Sequence, residues 1–103
     1  MIQTTPCDRI EVLVDAPLAP QLARLAEEAG ITGHTLIRTE SGRGTHGEWS
    51  EDLISGATAK YIFLTIANRE SADAFLMAIR PLLESHGLVV LRSTVEVIRP
   101  ERF

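Results

Sequence analysis

The order of its periodic segments constrains this chain more than any other feature. A strand pattern, a helix pattern and a second strand pattern occur within residues 9–40, and the same three patterns recur within residues 59–98. Apolar residues at every second position indicate strands, whereas apolar residues three or four positions apart indicate helices. A chain of 103 residues has room for one domain, so both units are expected to share a single core.

The first unit consists of three segments. RIEVLVD, residues 9–15, alternates in strand period, with β-branched residues on one face. The next segment, residues 16–30, predicts a helix whose buried stripe is Leu18, Leu22, Leu25 and Ala29. Its two prolines lie in the first turn, where a missing N–H costs little. GHTLIRTE, residues 33–40, predicts the second strand.

The second unit repeats that order. AKYIFLTIA, residues 59–67, predicts the strongest strand, which is apolar on both faces. Residues 68–87 predict a helix in which Pro81 removes one backbone hydrogen bond and bends the last turn. LVVLR, residues 88–92, predicts the fourth strand, and TVEVI after it either continues that strand or forms a short fifth.

This order predicts an α+β fold: a ferredoxin-like βαββαβ sandwich, with both helices on one face of an antiparallel sheet and a long loop between the second and third strands. The open face of such a sheet should alternate polar and apolar residues. The strand at 59–67 does not, so either the set Tyr61, Phe63 and Thr65 or the alternate set needs cover. We therefore expect the open sheet face to be an oligomer interface.

The loop between the halves, SGRGTHGEWSEDLISG, has no hydrophobic period. Loops beyond about 12–15 residues are uncommon in compact domains unless they are functional or disordered. Glycines around Ser41 and Arg43 allow backbone N–H groups to converge on an anion, and the guanidinium matches phosphate or carboxylate. Composition alone does not decide between this anion site and a mobile surface loop. The acidic second part bears Trp49, and the division between the two parts is expected near Gly47.

Two further basic features accompany the loop. Arg99 and Arg102 follow the last predicted strand, and Lys60 opens the third. Together with Arg43 they would form a polyanion pocket. Taken alone, a C-terminal arginine pair is usually solvated surface charge, and Lys60 alone is an equally weak signal.

Composition and spacing exclude several other classes. The net charge of −4 argues against general nucleic-acid binding. A lone Cys7, the absence of a signal-peptide pattern and the absence of a membrane-length apolar run predict a cytoplasmic protein. His34, His46 and His86 fit no metal motif, and no nucleophile has an evident base, so neither a metal site nor a catalytic residue is predicted.

Together, the segment order, the Gly-Arg-Gly loop and the terminal arginines resemble the PII-like signalling proteins over nearly the whole chain, with the carboxysome-associated branch as the nearest match. GITGHTLIRTESGRGTHG resembles the strand that enters the family's T-loop, and VEVIRPERF resembles its terminal arginine segment. The T-loop would then span about residues 41–58 and the arginine segment residues 95–103 of a single domain, 1–103.

This resemblance implies a homotrimer that binds adenine nucleotide in the clefts between subunits, under the T-loop. The nucleotide-binding residues it implies are Thr35, Gly42, Arg43, Phe63, His86, Gly87, Leu88, Arg99 and Arg102. Bicarbonate would bind at Ser41, Gly42, Arg43, Gly44 and Lys60, because a planar anion suits a bidentate Arg and backbone N–H groups. Glu48, Trp49, Glu51 and Asp52 would face a protein partner.

The chain also departs from the better-known members of that family. The segment ESHGLVVLR is short and lacks their lysine, which favours ADP or AMP over ATP. The loop has no Gln, so 2-oxoglutarate sensing is not expected, and it has no Tyr for modification.

The resemblance implies a non-catalytic bacterial regulator of inorganic-carbon metabolism, cytoplasmic or carboxysome-associated. Its ligands are ADP or AMP and bicarbonate, with no catalytic cofactor. A bicarbonate transporter or a carboxysome-related protein is the implied partner, without nucleic-acid binding or membrane insertion. Two alternatives remain open: a small ferredoxin-like phosphatase acting on acyl phosphate, and a trimeric metal-tolerance protein of similar fold.

Overall fold

The computed structural model describes residues 2–44, 47–50 and 59–98. Within them the elements are β1 (Thr5–Asp15), a 3-10 turn (Ala16–Leu18), α1 (Ala19–Glu28), β2 (Thr35–Arg38), β3 (Ser41–Gly44), β4 (Gly47–Ser50), β5 (Lys60–Ala67), α2 (Arg69–Ile79), α3 (Leu82–Ser85) and β6 (Val89–Val97). Four predicted site residues, Glu51, Asp52, Arg99 and Arg102, lie outside the described residues.

The main sheet has four strands in the order β2-β5-β1-β6, and every pair is antiparallel. The central strand β1 pairs with β5 on one side, where Val12 lies opposite Phe63, and with β6 on the other, where Val12 lies opposite Val90. This order, with β1 and β5 inside, confirms the predicted ferredoxin-like sandwich.

One face of the sheet forms the core with the helices. Ile10, Val12 and Phe63 are completely buried there against Leu22 of α1 and Phe75 of α2. Each of these strand residues lies on the same face, because side chains two positions apart point the same way and paired residues share a face.

The opposite face is also apolar, and no helix of the described residues packs on it. Between the two sets proposed for β5, the structure selects the alternate one, Ile62, Leu64 and Ile66, because Phe63 and Thr65 are buried on the helix side. Leu91, 58% exposed on β6, lies on the same open face opposite Glu11. Ile37 on β2, opposite Ile62, extends the apolar surface.

Strand β1 and helix α2 differ in extent from the sequence predictions, whereas β6 follows one of its two predicted alternatives. Strand β1 begins at Thr5, four residues before Arg9. Pro6 has no N–H to donate, and it is tolerated there because this end of β1 pairs only with β6, beyond its pairing with β5. Helix α2 ends at Ile79, and Pro81 opens a separate short α3, so the proline divides the predicted helix. The last segment is a single strand, β6, that reaches Val97.

A charged cluster ties the edge strand β6 to the rest of the fold. Arg92 donates to Asp8 through Nε at 2.7 Å and also through Nη2, and its Nη2 lies 2.7 Å from Asp73 Oδ1. The hydrogen bonds that Arg92 donates to Asp73 and then to Asp8 raise the pKa of its guanidinium above the usual range. The Asp8 side chain is only 4% exposed, so its carboxylate depends on this partner.

No helix among the described residues is both long enough and apolar enough to span a bilayer.

Candidate functional site

Part of the predicted loop is a β-hairpin. Strands β3 and β4 pair in register, with Gly42 opposite Trp49 and Arg43 opposite Glu48. The sequence showed no period here because glycine and charged residues carry the pairing, and only Trp49 is apolar. The predicted division near Gly47 is therefore wrong in one respect: residues on either side of Gly47 form one paired unit.

The indole of Trp49 lies across the backbone of Gly42. A Cβ at residue 42 would lie 2.2 Å from the Trp49 ring, so this position accepts only glycine while the ring stays in place. Trp49 Nε1 donates to Thr39 Oγ1 at 3.0 Å. An aromatic ring covering a cross-strand glycine is a known way to stabilise a hairpin. Trp49 thus packs back toward the base of the loop, which does not fit its prediction as a partner-facing residue.

Arg43 and Glu48 form a cross-strand ion pair on the hairpin. Arg43 Nε donates to Glu48 Oε1 at 2.9 Å, and Arg43 Nη2 donates to the same oxygen. The two side chains are 80% and 66% exposed. Arg43 is therefore the accessible cation of the hairpin, and solvent screens its pair.

Lys60 begins β5 directly beneath the hairpin. Its Nζ lies 2.7 Å from Asp15 Oδ1 and 5.1 Å from the centre of the Trp49 ring. Thr39 fixes the hairpin base to the same residue, because its N–H and its hydroxyl both donate to the Lys60 carbonyl, at 3.2 and 2.8 Å. Sequence reasoning missed both Thr39 and Asp15. The fixed register of β1 with β5, which pairs Asp15 with Lys60, was the missing information.

The predicted nucleotide residues divide between accessible and buried positions. Thr35 is exposed at the start of β2, opposite Leu64. Phe63 is completely buried and stacks on His34 with ring centres 4.7 Å apart. The prediction that the Phe63 side chain walls a base pocket is therefore wrong for this chain's own surface, because the ring belongs to the core.

The turn before β6 carries His86, Gly87 and Leu88. The His86 ring is exposed and its Nδ1 lies 2.8 Å from Ser85 Oγ. Gly87 has φ of 60°, a left-handed conformation that suits glycine, and Leu88 is buried. The Leu88 side chain packs in the core, so only its backbone remains available to a ligand.

Most of the predicted site residues that the structure describes lie at one end of the sheet. There β1 ends at Asp15 beside Lys60, β2 ends below the hairpin, and β6 begins at Val89 opposite Leu13. The hairpin base on β2 and the turn before β6 are three strand spacings apart, about 14 Å. The described residues therefore bring the hairpin base and the turn before β6 to the same end of the sheet.

Metal binding finds no support in the described part of the chain. No group of three or more His, Cys, Asp or Glu side chains is arranged there to hold a metal ion.

The sequence model of the family described as "Nitrogen regulatory protein P-II" matches residues 7–102. The chain belongs to the P-II family. That family consists of signalling proteins that are generally not catalytic. No curated protein matches this P-II member at a significant level of sequence similarity.

Several solved structures share the fold of this P-II member. CPII, a nitrogen regulatory PII-like protein from Thiomonas intermedia K12, bound to ADP, AMP and bicarbonate, is similar with a TM-score of 0.92 and 24% identity over 100% of this chain and 98% of that chain. CPII bound to ADP and bicarbonate gives a TM-score of 0.88 and 25% identity over 100% and 99%. A PII-like signalling protein from Thermus thermophilus gives 0.84 and 16% over 99% of each chain.

Proposed function

We propose that this P-II member is a non-catalytic regulator that binds ADP or AMP together with bicarbonate and uses the T-loop as its output. The observation that carries the proposal is the hairpin, which presents the 80% exposed side chain of Arg43 at the end of the sheet where Lys60 begins β5. The proposal is also supported by the similar protein CPII, whose structures hold ADP, AMP and bicarbonate.

The proposed anion site combines the hairpin with the start of β5. Arg43 offers a planar fork to bicarbonate or phosphate, and the N–H groups of Ser41, Gly42 and Gly44 lie on the same strand. Lys60 adds a second cation below the hairpin. A nucleotide would extend from here across the end of the sheet toward His86 and Gly87.

Strand geometry favours a site shared between subunits. Strand β6 ends at Val97 opposite Thr5, whereas Lys60 lies opposite Asp15 at the other end of β1. Ten residues of strand separate those ends, about 33 Å, while the five residues after Ile98 extend at most about 18 Å. Arg99 and Arg102 of one subunit would therefore serve the hairpin of a neighbour.

The open sheet face supplies the surface for such an assembly. We propose a homotrimer in which Leu91, Ile37 and the β5 set face the other subunits. Leu91→Glu should convert a particle of three 11.3 kDa chains into monomers in sedimentation velocity. Met77→Glu is the matched control, because Met77 is 65% exposed on α2, away from that face. A wild-type chain that sediments as a monomer would contradict the trimer.

The biological setting proposed is bacterial inorganic-carbon or carboxysome metabolism, in the cytoplasm, with a bicarbonate transporter or carboxysome-related protein as partner. Exposed Glu48 is the described residue best placed for such a contact. The Trp49 ring would contact a partner only after moving away from the Gly42 backbone on which it packs.

Calorimetry tests the ligand assignment. ADP, AMP and ATP are titrated into the protein with and without bicarbonate. We expect ADP and AMP to bind more tightly than ATP, and bicarbonate to change ADP affinity by the same factor by which ADP changes bicarbonate affinity. Identical ADP affinity with and without bicarbonate would refute the coupling, and no binding of any nucleotide would refute the function.

A further inference from the structure

Both described cations of the proposed anion site already contact carboxylates of the same chain. Arg43 is paired with Glu48, and Lys60 with Asp15 at 2.7 Å. An incoming anion therefore meets two internal competitors of its own charge. The question is which of these pairs can exchange.

The two pairs differ in their surroundings. The Lys60 side chain is 23% exposed and is flanked by the Trp49 ring, and its backbone carbonyl holds Thr39. The Arg43 and Glu48 side chains are 80% and 66% exposed and project from a two-stranded hairpin. Exposed pairs contribute little because solvent screens them, so Arg43 is the cation that can change partners at low cost.

The hairpin nevertheless keeps Glu48 close to Arg43. Direct cross-strand pairing sets the two residues opposite one another, and the Trp49 indole over Gly42 holds the neighbouring pair in the same register. Glu48 is therefore present at high effective concentration, whereas a free anion must be drawn from solution.

We propose that Glu48 is an internal competitor of the bound anion: it occupies Arg43 until bicarbonate or a nucleotide phosphate displaces it. This inference rests on the proposed function and adds the regulation of that site. Displacement releases the Glu48 carboxylate from the hairpin, so anion binding changes the charge that the T-loop presents. The anion concentration that half-fills the site then depends on Glu48 as well as on Arg43.

The test compares two substitutions that remove the same charge from the same loop. Glu48→Gln keeps the length of the side chain but removes the competing carboxylate. Glu40→Gln is the matched control, because Glu40 is exposed just before β3 and opposes no residue of the hairpin. Bicarbonate is titrated into each protein in the presence of saturating ADP.

We expect Glu48→Gln to bind bicarbonate about two- to fivefold more tightly than the wild type, the range corresponding to an exposed ion pair. Glu40→Gln should stay close to wild type. Equal affinities of the two variants, or weaker binding by Glu48→Gln, would overturn the competition while leaving the proposed function intact. Failure of the wild type to bind either ADP or bicarbonate would instead refute the proposed function, and the competition with it.

Discussion

Two arginine–carboxylate pairs in this chain have the same chemistry and different surroundings. Arg92 on the edge strand β6 binds Asp8, whose side chain is 4% exposed in the central strand, and also Asp73 of α2. Arg43 on the hairpin binds Glu48, whose side chain is 66% exposed. The first pair joins β6, β1 and α2, whereas the second joins the two adjacent strands of one hairpin.

The difference shows that burial, and not the pair itself, decides what such a contact does. A carboxylate removed from water must keep its partner, because an uncompensated buried charge is costly. A carboxylate in water loses little when its partner leaves. The Arg92–Asp8 pair is therefore structural, while the Arg43–Glu48 pair is available for exchange with a ligand.

The largest effect is expected at the buried pair. Among the described residues, Arg92→Ala leaves the Asp8 carboxylate with Arg69 as its one remaining ion-pair partner, whose Nη1 is 3.9 Å away and whose side chain is 73% exposed. We expect the free energy of unfolding to fall by about 2–3 kcal/mol, below the value for a fully buried pair because Arg92 is itself partly exposed. Urea denaturation at neutral pH measures the change.

Arg80→Ala is the control for that substitution. Arg80 is exposed at the end of α2 and lines the same groove as Arg92. Its loss should change stability by no more than about 0.5 kcal/mol. Equal losses in both variants would remove the distinction between buried and exposed charge on which the comparison depends.

A smaller effect is expected from the contact that holds the hairpin. Gly42→Ala places a Cβ 2.2 Å from the Trp49 ring, so the ring must move, at a cost of about 1–2 kcal/mol to the paired hairpin. Because Trp49 is the only Trp in the chain, its fluorescence reports the move directly, and the emission should shift to longer wavelength.

Gly44→Ala provides the matched comparison for the fluorescence. A Cβ at residue 44 would lie 4.0 Å from the same ring, an ordinary contact. Its emission without ligand should equal that of the wild type. If Gly42→Ala also left the emission unchanged, the packing of Trp49 on Gly42 would be disproved.

The smallest effect on stability is expected at the exposed pair. Glu48→Gln should change the free energy of unfolding by less than about 0.5 kcal/mol, because both partners are well solvated. The same denaturation series measures it beside Arg92→Ala. A loss as large as that of Arg92→Ala would show that the hairpin pair is structural, and its exchange with a ligand would then be untenable.

Sequence patterns were sufficient to predict the four-stranded sheet and the two helices packed on it. Alternation in residues 9–15, the continuous apolar run in residues 59–67 and the helical stripe of Leu18 and Leu22 predicted the sandwich, because burial leaves a pattern that survives in a single sequence. The length of β1 and the break at Pro81 were not predicted, since both depend on where neighbouring strands and turns end.

The site was less accessible to sequence reasoning. Arg43, Ser41 and the glycines stood out by composition, whereas Thr39, Asp15 and the Gly42–Trp49 contact arise from register and from the return of the hairpin onto β5. Phe63 was misplaced because an aromatic in a strand carries no mark of the face on which it lies. Adjacent residues of a strand point to opposite faces, and the sequence does not say which of the two faces the helices cover.

The most direct test of the hairpin as the anion site is bicarbonate calorimetry, in the presence of ADP, on the wild type, Arg43→Ala and Arg24→Ala. Arg24 is exposed on α1, so its substitution removes the same charge away from the hairpin. We expect Arg43→Ala to bind bicarbonate at least about tenfold more weakly, because it loses a charged hydrogen-bonded contact, and Arg24→Ala to bind it like the wild type. Wild-type affinity in Arg43→Ala would contradict the assignment of the hairpin as the anion site.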